Sequence, residues 1–112
     1  MVELVDVREY QDRHSRSPFA HWFDRLNPSA AAKVTVSLAR LAQGNLGALK
    51  SIGSGVHELR INFGPGYRVY LGWEGQRIVI LLGGGSKSSQ RRDIAMAADR
   101  WRDYKERKRR VN

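Results

Sequence analysis

The chain of 112 residues changes its hydrophobic period twice. Over Val2–Arg8, Val5 and Val7 alternate with polar neighbours, a period of two that predicts an opening or edge strand. After the polar segment Gln11–Ser17 the period lengthens to that of a helix. Phe19, Trp22, Phe23 and Leu26 share one face of a short helix, and Ala31, Val34, Leu38 and Leu41 share one face of a longer one. Ser17-Pro18 and Asn27-Pro28 each set a side-chain acceptor for an orphan N–H beside a proline that has no N–H to lose, which is how a helix starts. Gly44 supplies the left-handed residue that ends the second helix. With almost no loop between them, the two helices read as a helical hairpin.

From Val56 onward the period returns to two. Glu74-Gly75 reads as a two-residue hairpin loop, pairing Leu71 with Ile78, Tyr70 with Val79 and Val69 with Ile80. A turn at Gly64-Pro65-Gly66 would pair Phe63 with Tyr67, Ile61 with Val69 and Arg60 with Tyr70. Alternation then gathers His57, Leu59, Ile61, Phe63, Tyr67, Val69, Leu71, Trp73, Ile78, Ile80 and Leu82 on an apolar face. Glu58, Arg60, Asn62, Arg68, Tyr70 and Arg77 fall on the other, beside Val79 and Leu81; a slip of one residue in either hairpin would invert the assignment. After Gly83–Gly85 and Lys87-Ser88-Ser89 a last helix carries Ile94, Ala98, Trp101 and Tyr104 on one side. Its basic end, Lys105–Arg110, is expected to fray. The predicted fold is α+β: one antiparallel sheet of about four strands, the helical hairpin on its apolar face and a C-terminal helix. Residues 1–112 are read as one domain with a loosened tail over 105–112.

Charge narrows the function. Twenty Lys and Arg face eleven Asp and Glu, a formal net charge of +9, and the pI is near 10.7. Such a balance points to a polyanionic partner, nucleic acid ahead of anionic lipid. A hydrophobic fraction of 41%, with three Trp, four Tyr and three Phe, is enough for a modest core and argues against disorder. No apolar window approaches a membrane span, and Glu3 and Asp6 interrupt any signal-peptide layout, so a cytoplasmic protein without a membrane partner is expected. The absence of cysteine excludes disulfides and thiol chemistry. His14, His21 and His57 have no ligand-like spacing, so neither metal nor cofactor is expected. Chemistry falls to Arg, Lys, Tyr, carboxylates or a lone His.

Two places could carry it. On the polar sheet face Arg60 and Arg68 would project from adjacent strands, with Tyr70 across from Arg60 and Glu58 nearby. Arginines bind the non-bridging oxygens of a phosphodiester and stabilise the charge of its pentavalent transition state. Tyr70 would stack on a base or donate to an oxygen, and Glu58 would take a proton from a 2′-hydroxyl. The same residues also suit the wet face of a half-exposed sheet, with Glu58 as a local ion-pair partner. The second place is the glycine-rich turn, where Lys87 and a helix N-terminus could cradle an anion. Here the plainer reading is a serine cap, Ser88 or Ser89, beside a solvated lysine. It is no nucleotide-binding P-loop, because Ser86 and Leu81 stand where that motif requires glycine. Lys50, Arg77, Arg91 and Arg92 are further candidates for RNA contact, Lys50 in a loop before the second strand. Arg107–Arg110 would add salt-dependent affinity. His57, on the apolar face, reads as a core or sheet-end residue.

The stretch ELRINFGPGYRVYLGWEGQRIVILLGGGSKSSQRRDI resembles the core of the RelE/ParE superfamily of bacterial toxin–antitoxin modules, in its HigB-like branch. NPSAAAKVTVSLARLAQGNLGALKSIGSGVHELR is similar to the helical hairpin and loop that enter that core, so the resemblance covers about Phe19 to Tyr104. It implies a RelE-like fold and a toxin that cleaves mRNA in the ribosomal A site. Its partner would be a cognate antitoxin of the helix-turn-helix kind, through which alone the chain would reach operator DNA. By position, Arg60, Arg68 and Lys87 match the basic catalytic residues of such toxins. Where several members place a Tyr or His acid, this chain has Arg92, Asp93 or Ile94, which leaves the general acid unassigned. The superfamily also holds ParE-like toxins, which poison DNA gyrase by binding it without catalysis. A degenerate protein that keeps only antitoxin binding and operator regulation is a third reading.

Overall fold

A computed structural model describes residues 3–111. Val2, the first residue of the predicted opening strand, lies outside them, as do Met1 and Asn112. The elements run β1 (Asp6–Glu9), α1 (Pro18–Phe23), α2 (Pro28–Ala42), β2 (Leu49–Gly53), β3 (Val56–Ile61), β4 (Tyr67–Glu74), β5 (Ile78–Ser86), a 3-10 turn (Lys87–Ser89) and α3 (Gln90–Val111). Both predicted caps form: Ser17 Oγ accepts from Ala20 N–H at 3.0 Å and Asn27 Oδ1 from Ala30 N–H at 2.9 Å. Gly44 takes φ +90° after α2 and donates to the Leu41 carbonyl.

The sheet has five strands in the order β1-β5-β4-β3-β2, and β1 runs parallel to β5. This corrects the expectation of about four antiparallel strands in two respects. Lys50-Ser51-Ile52 carries no strong alternation, yet it pairs with β3 as an edge strand, so Lys50 stands opposite Glu58 instead of in a loop. β1 lies beside β5, the last strand of the chain, while α1 and α2 carry the chain from β1 to β2 at the opposite edge, a long-range choice invisible in seven residues of local pattern.

Both hairpin registers also differ from expectation. β3 and β4 pair Ile61 with Tyr67, Arg60 with Arg68, Leu59 with Val69 and Glu58 with Tyr70. The turn spans Asn62–Gly66 because Phe63 N–H closes on the Ile61 carbonyl and Gly66 N–H on the Phe63 carbonyl. That shift is two residues, so it preserves the faces but puts Glu58, not Arg60, across from Tyr70. β4 and β5 pair Glu74 with Ile78, Trp73 with Val79 and Leu71 with Leu81, leaving a three-residue loop where two were expected. An odd shift reverses β5: Val79 and Leu81 turn toward α1 and α2, while Ile78, Ile80 and Leu82 turn toward α3. A bulge follows, since Leu71 pairs with Leu81 and Tyr70 with Gly83, which leaves Leu82 as the extra residue.

Two cores result. Phe19, Val34 and Leu41 of the two N-terminal helices pack on Leu59, Ile61, Val69, Leu71, Val79 and Leu81. On the opposite face Ala97 and Trp101 of α3 cover Val56, Tyr70, Ile80 and Leu82. The predicted wet face is therefore a second interior. Trp101 lies directly on Gly72, where a side chain would occupy the space of the indole. The basic end of α3 is helical through Val111. Lys108 Nζ pairs with Glu74 at 2.9 Å and Tyr104 Oη donates to the same carboxylate at 2.7 Å, tying the helix to the far end of β4.

Candidate functional site

The cluster expected on the polar face exists, but it is organised around a buried carboxylate. Glu58 is fully buried. Its Oε1 accepts from Arg60 Nε at 3.0 Å and its Oε2 from Gln90 Nε2 at 2.8 Å, while Arg68 Nε lies 3.5 Å from Oε2. Arg60 and Arg68 are neighbours because β3 and β4 pair them directly. Their environments differ: the Arg60 side chain is 48% exposed and that of Arg68 is 9% exposed. Gly66, with φ +80°, offers its carbonyl to both Arg68 Nη1 at 3.3 Å and the Lys87 backbone N–H at 2.9 Å. The β3–β4 turn is thereby joined to the start of the 3-10 turn.

Arg60, Arg68 and Lys87 line a groove of about 500 Å³ whose floor and wall are the turn residues and Tyr67. Three cations against the single carboxylate of Glu58 leave a local excess of two positive charges. Such a groove suits a phosphodiester: the exposed Lys87 and the half-exposed Arg60 can approach its oxygens, and the more buried Arg68 adds its charge beside them.

Three predicted roles change. Glu58 cannot serve as a ready general base, because both its oxygens already accept from Arg60 and Gln90 and face Arg68. Tyr70 cannot stack on a base, because it is fully buried beneath α3, and its hydroxyl has no hydrogen-bond partner among the described residues. Burial, followed by the Glu58 and Asp93 carboxylates and opposed by Arg68, pushes its phenol up to about 12. Arg77 is remote: it sits in the β4–β5 loop, at the other end of β4 from the groove, and pairs with Glu3 at 3.0 Å.

The other candidates scatter around the site. Lys50 is exposed on the edge strand opposite Glu58. Arg91 and Arg92 are exposed on the first turn of α3, and only Arg92 borders a neighbouring cleft. Neither Ser88 nor Ser89 caps α3 by accepting a backbone N–H. Ser89 Oγ donates to Asp93 and Ser88 Oγ meets Ser86 Oγ at 2.9 Å. The Asp93 carboxylate lies over Gly85 in the first helical turn, where it supplies the negative charge a helix N-terminus favours. Gln90 is the member that sequence reasoning missed; it lay in the quoted K-S-S-Q, but only the packing of α3 shows that it reaches Glu58. Among the described residues no three His, Cys, Asp or Glu side chains converge to hold a metal ion, and no helix is long and apolar enough to cross a membrane.

Residues 21–102 match the family described as phage-derived protein Gp49-like (DUF891). The chain belongs to this family. The Gp49-like span contains Glu58, Arg60, Arg68, Lys87 and Gln90, and so the whole groove. An uncharacterized protein of Haemophilus influenzae is 48% identical over 80 residues, covering 70% of this chain and 81% of that protein. A chain from the crystal structure of the RelBE2 toxin–antitoxin complex of Mycobacterium tuberculosis superposes with a TM-score of 0.56 at 18% identity. The match covers 79% of this chain and 95% of that one, so this Gp49-like protein shares its fold.

Proposed function

We propose that this Gp49-like protein is the toxin of a type II toxin–antitoxin module, in the HigB-like branch of the RelE/ParE superfamily. In this reading residues 1–112 form one toxin domain that cleaves mRNA on the ribosome in the cytoplasm. A cognate antitoxin, a helix-turn-helix protein, holds it inactive. The groove where Arg60, Arg68 and Lys87 meet carries the proposal; the fold shared with a toxin–antitoxin complex chain supports it.

The chemistry is transfer of a phosphodiester to the neighbouring 2′-oxygen. The 2′-hydroxyl gives its proton to water as its oxygen attacks phosphorus, and the 5′-oxygen of the next nucleotide leaves and takes a proton from water. The products are a 2′,3′-cyclic phosphate and a 5′-hydroxyl. Arg60 orients the phosphate, Arg68 stabilises the charge of the transition state and Lys87 neutralises the leaving side. Glu58 and Gln90 act as positioning residues, holding the two guanidiniums at fixed angles. Lys50, Arg91 and Arg92 extend the positive surface around the groove. The ribosome aligns the mRNA, and orientation supplies much of the barrier reduction.

A specific observation favours a second reading. With Glu58 engaged and Tyr70 buried, the two predicted acid–base groups are withdrawn from the groove, as suits a ParE-like toxin that poisons gyrase by binding. Induced expression with mapping of transcript ends separates the two. Codon-linked cuts that fall about 100-fold in Lys87→Ala and Arg60→Ala support the nuclease. Intact mRNA with an SOS response supports the gyrase poison, and undiminished cleavage in both variants refutes the site.

A further inference from the structure

Beside the groove lies a larger cleft of about 1,120 Å³ between α1, the glycine end of β5 and the start of α3. Pro65 and Tyr67 line both, so the two spaces share a wall. Trp22 and Tyr67 meet edge to face in the cleft, with ring centroids 6.3 Å apart and planes at 61°. Trp22 rests on Gly84, where any side chain would displace the indole. Both rings are only half-buried.

Around these rings the charge is net positive, Arg16, Arg25, Arg92 and Arg100 standing against Asp12 and Asp93. Arg16, Arg25 and Arg92 are exposed on the rim, and none forms an ion pair among the described residues. The two carboxylates of the lining are engaged locally. Asp12 accepts from the backbone N–H groups of His14 at 2.8 Å and Arg16 at 3.0 Å, and Asp93 accepts from Ser89. Partly buried aromatic rings beneath an excess of arginine are the ingredients of a single-strand platform, because every base has a face to stack and every linkage a charge to neutralise.

We infer that this cleft is a second subsite for single-stranded RNA, which takes one or more nucleotides flanking the phosphodiester held in the groove. Trp22 and Tyr67 hold a base, and Arg16, Arg25 and Arg92 hold the adjoining phosphates. The strand passes between the subsites over Pro65 and Tyr67. Stacking tolerates any base, so the cleft adds affinity and alignment and leaves base preference to other contacts. The inference rests on the RNA-cleaving reading of the groove.

The test uses the full chain and fluorescent 2′-O-methyl oligouridines of two and six nucleotides, which cannot be cleaved, with binding read by anisotropy across a salt series. Arg16→Ala with Arg25→Ala is expected to weaken the hexamer about tenfold and to reduce its salt slope by about 1.4, at roughly 0.7 for each phosphate released, while the dimer is unaffected. Trp22→Phe, which keeps a ring on Gly84, is expected to weaken the hexamer severalfold and to abolish the quenching of tryptophan fluorescence by RNA. Lys87→Ala should weaken both lengths. Wild-type hexamer binding by the double variant, or equal displacement of RNA by a polyglutamate peptide, overturns the cleft assignment; a retained Lys87 effect then leaves the groove reading standing. If neither RNA binds, the cleft assignment falls, and the groove reading is decided by the mapping of transcript ends.

Discussion

Replacing Glu58 by glutamine separates an electrostatic anchor from a catalytic base. The substitution keeps volume and removes charge from a fully buried side chain. At 3.5 Å from Arg68 Nε, the lost attraction is about 5 kcal/mol for an effective dielectric of about 20. The Arg60 pair, half exposed, adds at most about 1 kcal/mol. Arg68, with 9% of its side chain exposed, is left as a buried cation without a counterion, a change that costs about 3–5 kcal/mol in proteins generally. The new amide also turns an N–H₂ toward donors on Arg60, Arg68 or Gln90. Total stability for a domain of this size is about 5–15 kcal/mol, so the loss is a large share of it. Urea unfolding followed by tryptophan fluorescence should show a lower midpoint at unchanged slope. Replacing Arg68 as well, by Gln, should return much of the loss, giving a coupling energy above about 2 kcal/mol in the double-mutant cycle. A Glu58→Gln protein that keeps wild-type stability while losing all cleavage would refute the argument and return Glu58 to the role of base.

The buried phenol predicts an alkaline limit. Because the folded pKa of Tyr70 is raised to about 12 from its ordinary value of 10.0, the folded state binds more protons above pH 10. Its contribution, about 2–3 kcal/mol, is complete below pH 10 and is lost as pH rises towards 12. Tyr70→Phe should flatten that part of the stability profile, and at pH 7 it should be neutral or stabilising, since it removes a buried hydroxyl that has no partner among the described residues; a clear destabilisation at pH 7 would count against this. In acid the sign is opposite: Lys108 and Tyr104 hold Glu74 below the usual range, and Tyr10 and Arg107 do the same for Asp103, so stability present above about pH 5 should fall as pH drops through 4. Gly72→Ala should push Trp101 off the sheet and cost about 1–3 kcal/mol by overpacking. An unchanged melting temperature would show that α3 gives way freely.

Much of the molecule was legible because its signals are local. Ser17-Pro18 and Asn27-Pro28 start helices through atoms within three residues of one another, and Gly44 ends one through its own backbone freedom. The excess of positive charge likewise needed no tertiary information, and strand pairing around one turn brings Arg60 and Arg68 together under either register; Lys87 joins them through its backbone N–H on the Gly66 carbonyl. β5 was not legible in this way. The run from Ile78 to Leu82 is apolar at every position, because one side meets α1 and α2 and the other meets α3; a strand buried on both faces has no alternation to reveal its register. A loop longer by one residue at Gly75 then reversed it.

The sequence by itself determined the helices, the strand-rich centre, the excess of positive charge and the arginine pair of the groove. Tertiary structure decided which of their neighbours are available. Folding α3 across the sheet removes Tyr70 and Glu58 from water, turns a presumed base into the counterion of Arg68 and brings in Gln90 from 32 residues away. It also opens the cleft beside Trp22. Burial is a property of what packs over a residue, and that partner is set by the path of the whole chain, which no local pattern encodes.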